Sequence, residues 1–319
     1  MALPTNTFTT YDAIGNREDL SDDIYKISPT DTPFFSGIEK TKASAVNHEW
    51  QTQELAAASG SNAVLEGDDA TTDATTVTVR RGNICQISDK VARVTGTQQA
   101  VEHAGRDDEL AYQEMLKGAE LKRDLETILV GTNQAKDAGN STTARKTASV
   151  LSWVGTNDSL GAGGGASPSA LDGTATRTDG TQRAFTEALL KTVLQLCWAE
   201  GGKPDTIMVG GFNKQVMSTF TGRATPMEDT KSKKIVASVD AYESDFGTVK
   251  VVPNRFSRSR DAWVLQMDMW KLAHLNGRKM LSVPLAVTGD SRRKQIITEY
   301  SLQSCNEKAS GLVADLTTS

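Results

Sequence analysis

The chain has 319 residues, 38% of them hydrophobic and 6% aromatic, with a formal net charge of −5. That length holds two ordinary domains or one large domain with elaborations, and the hydrophobic fraction, though low, is enough for a packed core. An acidic total gives no global sign of nucleic-acid binding, and no run approaches the ~18 consecutive apolar residues of a membrane helix.

The amino-terminal residues lack a basic start followed by an apolar run, so a soluble protein that is not secreted is expected, with no membrane partner. Cys85, Cys197 and Cys305 lie far apart and show no CxxC spacing, which suits free thiols in a reducing compartment.

Residues 1–44 do not read as a domain. The acidic run Glu18, Asp19, Asp22 and Asp23 gives way to Ile24, Tyr25 and Ile27, then to Pro29 and Pro33 ahead of Phe34 and Phe35. A segment so interrupted cannot bury its own apolar groups. They need a surface from the rest of the chain or from another copy of it, and the sequence leaves both open.

Residues 46–53 alternate as a strand does, and residues 76–88 do so again. The connection between them, with Leu55, Val64 and Leu65 as its large apolar members, is too long for a structureless loop inside a compact domain. Residues 45–83 therefore predict a long projecting hairpin, marginal in water unless something packs against it.

The longest helical pattern spans 107–131. Leu110, Ala111, Met115, Leu121, Leu125, Ile128 and Leu129 fall on one arc, with Leu116 and Val130 outside it and Gly118 weakening the interior. Gly105 and Gly131 are its natural stops, and Asp107, Asp108 and Glu109 suit the positive end of the helix dipole. A rod about 38 Å long results.

Residues 138–180 are rich in Gly, Ser, Thr and Ala and predict a flexible surface loop, with Trp153 and Val154 in a short anchoring strand before it. Residues 161–166 formally satisfy the dinucleotide fingerprint, but no strand feeds them and Pro168 stands where a helix would start. A helix from 184 stopped by Gly201 and Gly202, a strand at 206–209 and a helix over 213–220 follow. Gly201 to Pro204 is no phosphate loop, because Cys197 occupies the first glycine position and Pro204 the magnesium-binding hydroxyl position. Strands are expected at 235–242 and 248–252 around a turn at 244–247, then at 262–266 and 295–302.

Taken in order, IYKISPTDTPFFSGI, HEWQTQEL, EGDDA, RRGNICQISDKVARVTGTQ and DELAYQ…ELKRDLE resemble the major capsid proteins of tailed bacteriophages with the Hong Kong 97 type of shell fold. DFGTVKVVPNRF, DMWKLAHL, PLAVTGDSRRKQIITEYSL and NEKASG are similar to that family's closing strands, and residues 135–180 match least. The resemblance implies an α+β fold with an amino-terminal arm (1–44), an extended loop (45–83), a peripheral domain (84–183) with spine helix 107–131, an axial domain (184–290) and return strands to the peripheral domain (291–319). It further implies self-assembly into pentamers and hexamers of an icosahedral head enclosing double-stranded DNA, contacted without sequence specificity. A portal protein is the implied partner, a scaffold or decoration protein a further one. The implied location is the virion, assembled in the host bacterial cytoplasm. A nanocompartment shell of the encapsulin kind keeps the fold and changes the contents, and a soluble hydrolase or binding domain is the remote alternative.

No catalytic, cofactor or metal residues are expected. His48, His103 and His274 show no metal-ligand spacing, and there is no nucleophile elbow, no HExxH and no evident acid–base carboxylate pair. Basic clusters at Lys231, Lys233 and Lys234, at Arg255, Arg258 and Arg260, and at Arg292, Arg293 and Lys294 lack the aromatic interleaving of a nucleic-acid groove. Opposite charges on separate patches suit head-to-tail contacts that close rings. The candidate assembly residues are Phe34, Phe35 and Trp50, the acidic loop tip Glu66, Asp68 and Asp69, and the basic Arg255, Arg258, Arg292 and Arg293.

Overall fold

The computed structural model describes residues 28–70, 72–103, 105–220, 228–229, 234–235 and 240–319. The acidic run at 18–23, the apolar residues 24–27 and the cluster residues Lys231 and Lys233 lie outside them. The chain opens with α1 (Pro33–Gly37), where Pro33 supplies a preset first-turn φ, and runs into β1 (Glu39–Ala43). The hairpin strands β2 (Asn47–Thr52) and β3 (Val79–Ile84) follow, then β4 (Gln86–Thr95), α2 (Gly96–Ala100) and the long α3 (Glu109–Glu126). After β5 (Asp158–Ser159) come α4 (Glu187–Ala199), β6 (Thr206–Val209), α5 (Gly211–Met217) and the short pair β7 (Glu228–Asp229) and β8 (Lys234–Ile235). The remainder is β9 (Ala241–Ser244), β10 (Gly247–Pro253), β11 (Ala262–Leu265), β12 (Trp270–Leu275), β13 (Leu281–Pro284), β14 (Ser291–Ser304) and β15 (Gly311–Val313).

Two sheets organise these elements. In the five-stranded one, β1, β12, β14 and β13 lie in that order and β4 pairs along the other side of β14, from Ser291↔Thr95 to Tyr300↔Gln86. The six-stranded one runs β5-β15-β11-β6-β10-β9. Helix α4 lays Leu190, Val193, Leu194 and Cys197 on one face of the second sheet, against Ile207, Val209 and Val264. Met208, Trp263 and Leu265 on its other face join the core beneath α3. Strand β6 is therefore buried on both sides, which is why its residues are uniformly apolar apart from Thr206. Strands β12 and β13, from the expected axial stretch, sit in the first sheet, and β15, from the closing stretch, sits in the second.

Asp108 caps α3 by accepting the Ala111 amide at 3.1 Å. The apolar arc expected for this helix is too wide. Met115 is 62% exposed, because it lies about 140° round the helix from Leu110. The positions that face β14 are instead Glu114, paired with Lys294 at 2.7 Å, and Gly118, beside the Ile296 side chain. At its end the helix widens into a π turn, Thr127–Gly131, which turns Leu129 and Val130 inward together. A Cβ on Gly131 would stand 2.3 Å from the Phe256 carbonyl oxygen, so the turn needs glycine there.

Three further expectations are corrected. Trp153 follows a 3₁₀ turn, Val150–Ser152, rather than lying in a strand. Strand β9 begins at Ala241, while Ile235 belongs to the short pair with Glu228. The glycine-rich stretch is tied into the body, not laid over it. Asp315 accepts the amides of Gly161 at 3.0 Å and Gly180 at 2.9 Å, and a Cβ on Gly161, Gly165 or Gly180 would crowd its side chain. Gly161 and Gly165, within the stretch that resembles a dinucleotide fingerprint, thus lie against an internal carboxylate. Arg177, 3% exposed, joins Asp315 at 2.9 Å to Asp261 at 3.1 Å. Arg260 adds a second bond to Asp315 at 2.9 Å. Burial pushes the Asp261 carboxyl up to about 6, against the pull of Arg258 and Arg177. Asp315 is also pushed up by burial, yet the Gly161 amide and Arg177 bring it below the usual carboxylate range.

Candidate assembly surfaces

The β2–β3 hairpin pairs from Asn47↔Ile84 to Thr52↔Val79, and its root is held firmly. The Trp50 ring lies 5.4 Å from Trp153, which is fully buried, and the His48 imidazole meets the Gln303 amide oxygen at 3.0 Å. Buried Asn83 donates to the Leu302 carbonyl at 2.7 Å and accepts the Ala148 amide at 2.9 Å. Lys136 reaches the carbonyls of Gly82 at 2.7 Å and Asp172 at 2.8 Å. Beyond the root, the described residues between 53 and 78 are all exposed and form no strand. Leu55, Val64, Leu65 and Val77 are each at least 79% exposed.

Replacing Trp50 with alanine is expected to cost about 1–2 kcal/mol, less than a fully buried tryptophan would. Faster hydrogen exchange at the 47–52 and 79–84 amides, with α4 unchanged, is the measurement that checks it.

A family model described as SU10 major capsid protein matches residues 3–317. The chain belongs to that family. A major capsid protein of Escherichia phage Phieco32 is 29% identical over 349 aligned positions, covering 98% of this chain and 97% of that one. Among solved structures, the cyanophage A-1(L) capsid asymmetric unit aligns with a TM-score of 0.66 at 11% identity, over 98% of this chain and 99% of the other. An encapsulin, holo-SrpI from Synechococcus elongatus PCC 7942, aligns at 0.54 and 12% identity, over 95% and 93%. The α+β architecture is that of the Hong Kong 97 type capsid fold, and the protein is a major capsid protein of a phage, a virion component of an icosahedral shell built from copies of itself.

In this capsid protein the candidate residues divide into inward and outward groups. Phe34 is fully buried, edge-on to Trp270 at 6.3 Å, so it is a core residue of its own subunit. What holds it is Glu126, which accepts the amides of Phe34 at 2.9 Å and Phe35 at 2.6 Å and the Asn254 side-chain amide at 2.6 Å. Burial raises the Glu126 pKa against these donors. Phe35 and Trp50 are half-buried. Arg258 turns inward to Asp179 at 2.6 Å and Asp261 at 3.4 Å, which uses its charge within the chain. Arg293 is half-buried and donates to the Ala286 carbonyl at 2.8 Å. Glu66, Asp68, Asp69, Arg255 and Arg292 are exposed, with no ion-pair partner among the described residues.

Periodicity gave no hint of Glu126, Arg177, Asp261 or Asp315. The one local signal was a lone charge inside an apolar run, as in GLVADL. Among the described residues no group of three or more His, Cys, Asp or Glu is placed to hold a metal, and no helix is long and apolar enough to cross a membrane.

Proposed function

We propose that this chain closes into pentamers and hexamers of a phage head around double-stranded DNA, with the hairpin and its loop laid across a neighbouring subunit. One observation carries the reading: the loop exposes Leu55, Val64, Leu65 and Val77 while its root is fixed by Trp50, Asn83 and Lys136. In this reading residues 1–44 form the arm, 84–183 the peripheral domain, 184–290 the axial domain and 291–319 the return strands. Many modest contacts then act together, so the shell is stable although each contact is weak. The chain does no chemistry of its own. A portal protein occupies one vertex, a scaffold or decoration protein assists where present, the inner wall touches DNA without reading sequence, and assembly takes place in the host cytoplasm.

Electron microscopy of the protein expressed alone tests this: closed shells of ringed capsomers are expected, and a monomer at high concentration would overturn it. Particles carrying a cargo enzyme in place of nucleic acid would indicate a nanocompartment. The acidic tip of the loop meets basic groups that stay exposed on a neighbour, Arg255 or Arg292. Changing Glu66, Asp68 and Asp69 together to lysine should lower shell yield severalfold while moving subunit stability by under about 0.5 kcal/mol. Unchanged yield would remove the tip from the interface.

A further inference from the structure

Among the described residues, two strongly exposed aromatic side chains on the body touch each other. Trp198, near the end of α4, is 59% exposed and Phe246, in the β9–β10 turn, is 43% exposed, with ring centroids 5.3 Å apart and planes at 30°. In a chain that is 6% aromatic, a stacked pair left in solvent is a costly exposure. Beside it Glu243 and Asp245 are exposed with no ion-pair partner among the described residues, and Lys191, two turns before Trp198 on α4, pairs with Glu187 at 3.0 Å and feels the Asp245 charge only at longer range.

The complementary chemistry lies at the other end of the same strand. Phe246 immediately precedes β10 and Arg255 stands two residues beyond it, so the two are about 25–30 Å apart along the strand direction. Arg255 is exposed and without an ion-pair partner among the described residues, and next to it the Arg123 guanidinium lies 5.4 Å from the Phe256 ring. Complementary patches this far apart cannot meet within one molecule, but they can meet between copies arranged head to tail.

We propose that the Trp198–Phe246 stack with Asp245 is a docking surface for a second copy of this chain, whose Arg255 packs over the rings and pairs with the carboxylate. Arginine and aromatic side chains are enriched where interface energy concentrates, and a guanidinium over a ring is attracted by its π face. The assignment rests on the shell-building reading above and leaves Arg292 to the loop tip.

A charge-swap series tests it, with wild type as the control for the underlying reading: if wild type forms no shells, that reading fails and not this pairing. Where wild type forms shells, Asp245→Arg and Arg255→Asp are each expected to lower shell yield about tenfold. Both positions are exposed, so each single variant should keep the subunit's wild-type unfolding temperature. The double variant carries both halves of the reversed pair in every copy and is expected to recover most of the yield. Trp198→Ala with Phe246→Ala should lower yield at least as far as either charge reversal. Single variants that assemble like wild type, or a double variant no better than the singles, would overturn the pairing.

Discussion

Replacing Arg177 with alanine is expected to cost about 3–5 kcal/mol of subunit stability. The guanidinium is buried between Asp261 and Asp315, which are themselves fully buried, at 3.1 and 2.9 Å. Removing it leaves one carboxylate, Asp261, facing Arg258 alone at 3.4 Å and the other held by the Gly161 and Gly180 amides and Arg260. The penalty comes from stranding these charges, not from losing a net attraction. Arg177→Lys should recover little, because a single ammonium lacks the planar fork that spans two carboxylates. The urea midpoint of the unassembled subunit measures the effect. Hydrogen exchange should speed up in residues 161–183, the stretch that Arg177 pins to the body. A loss under about 1 kcal/mol would mean that water already serves these carboxylates in the folded state.

That network also marks where sequence reading stops. Strands β2, β6 and β10, and the helices after Gly105 and before Gly201, were legible because each is written in a few neighbouring residues: alternation, an apolar arc, a glycine stop. The order of the glycine-rich stretch is not legible in its composition, which reports conformational freedom and not what fills the space beside a glycine. Here Asp315, more than 130 residues away, fills it. The burial of Phe34 is hidden for the same reason: it depends on Glu126 and Trp270, which local periodicity cannot reach. The loop and its acidic tip were legible because exposure, unlike packing, is a local property of a segment with few core-forming side chains.

Acidification should pull stability in two opposite directions at once, and single substitutions should separate them. His274 on β12 is 4% exposed, and neither ring nitrogen has a hydrogen-bond partner of normal geometry among the described residues. It sits opposite Lys42 on β1 and Tyr300 on β14, with Lys279 and Lys40 close enough to repel its proton. Burial first, then those lysines, push its pKa down to about 4. An unfolded chain takes up that proton near pH 6.5, so between 6.5 and 4 the unfolded state binds more protons and stability falls with pH, by about 3 kcal/mol in full. Asp261 does the reverse: with its carboxyl pushed up to about 6, the folded state takes the proton first and gains stability as pH falls from 6 towards the unfolded value near 3.8. The wild-type curve is the difference of the two. His274→Leu should therefore lose less stability than wild type between pH 7 and 4.5, and Asp261→Asn should lose more. Urea midpoints of the unassembled subunits across that range decide it. Parallel curves for wild type and His274→Leu would show that the imidazole is hydrated and titrates as it would in an unfolded chain. If the slopes separate as expected, exchange at the Glu39–Ala43 amides should rise first on the acid side, because β1 is the edge strand that a charged His274 would push away.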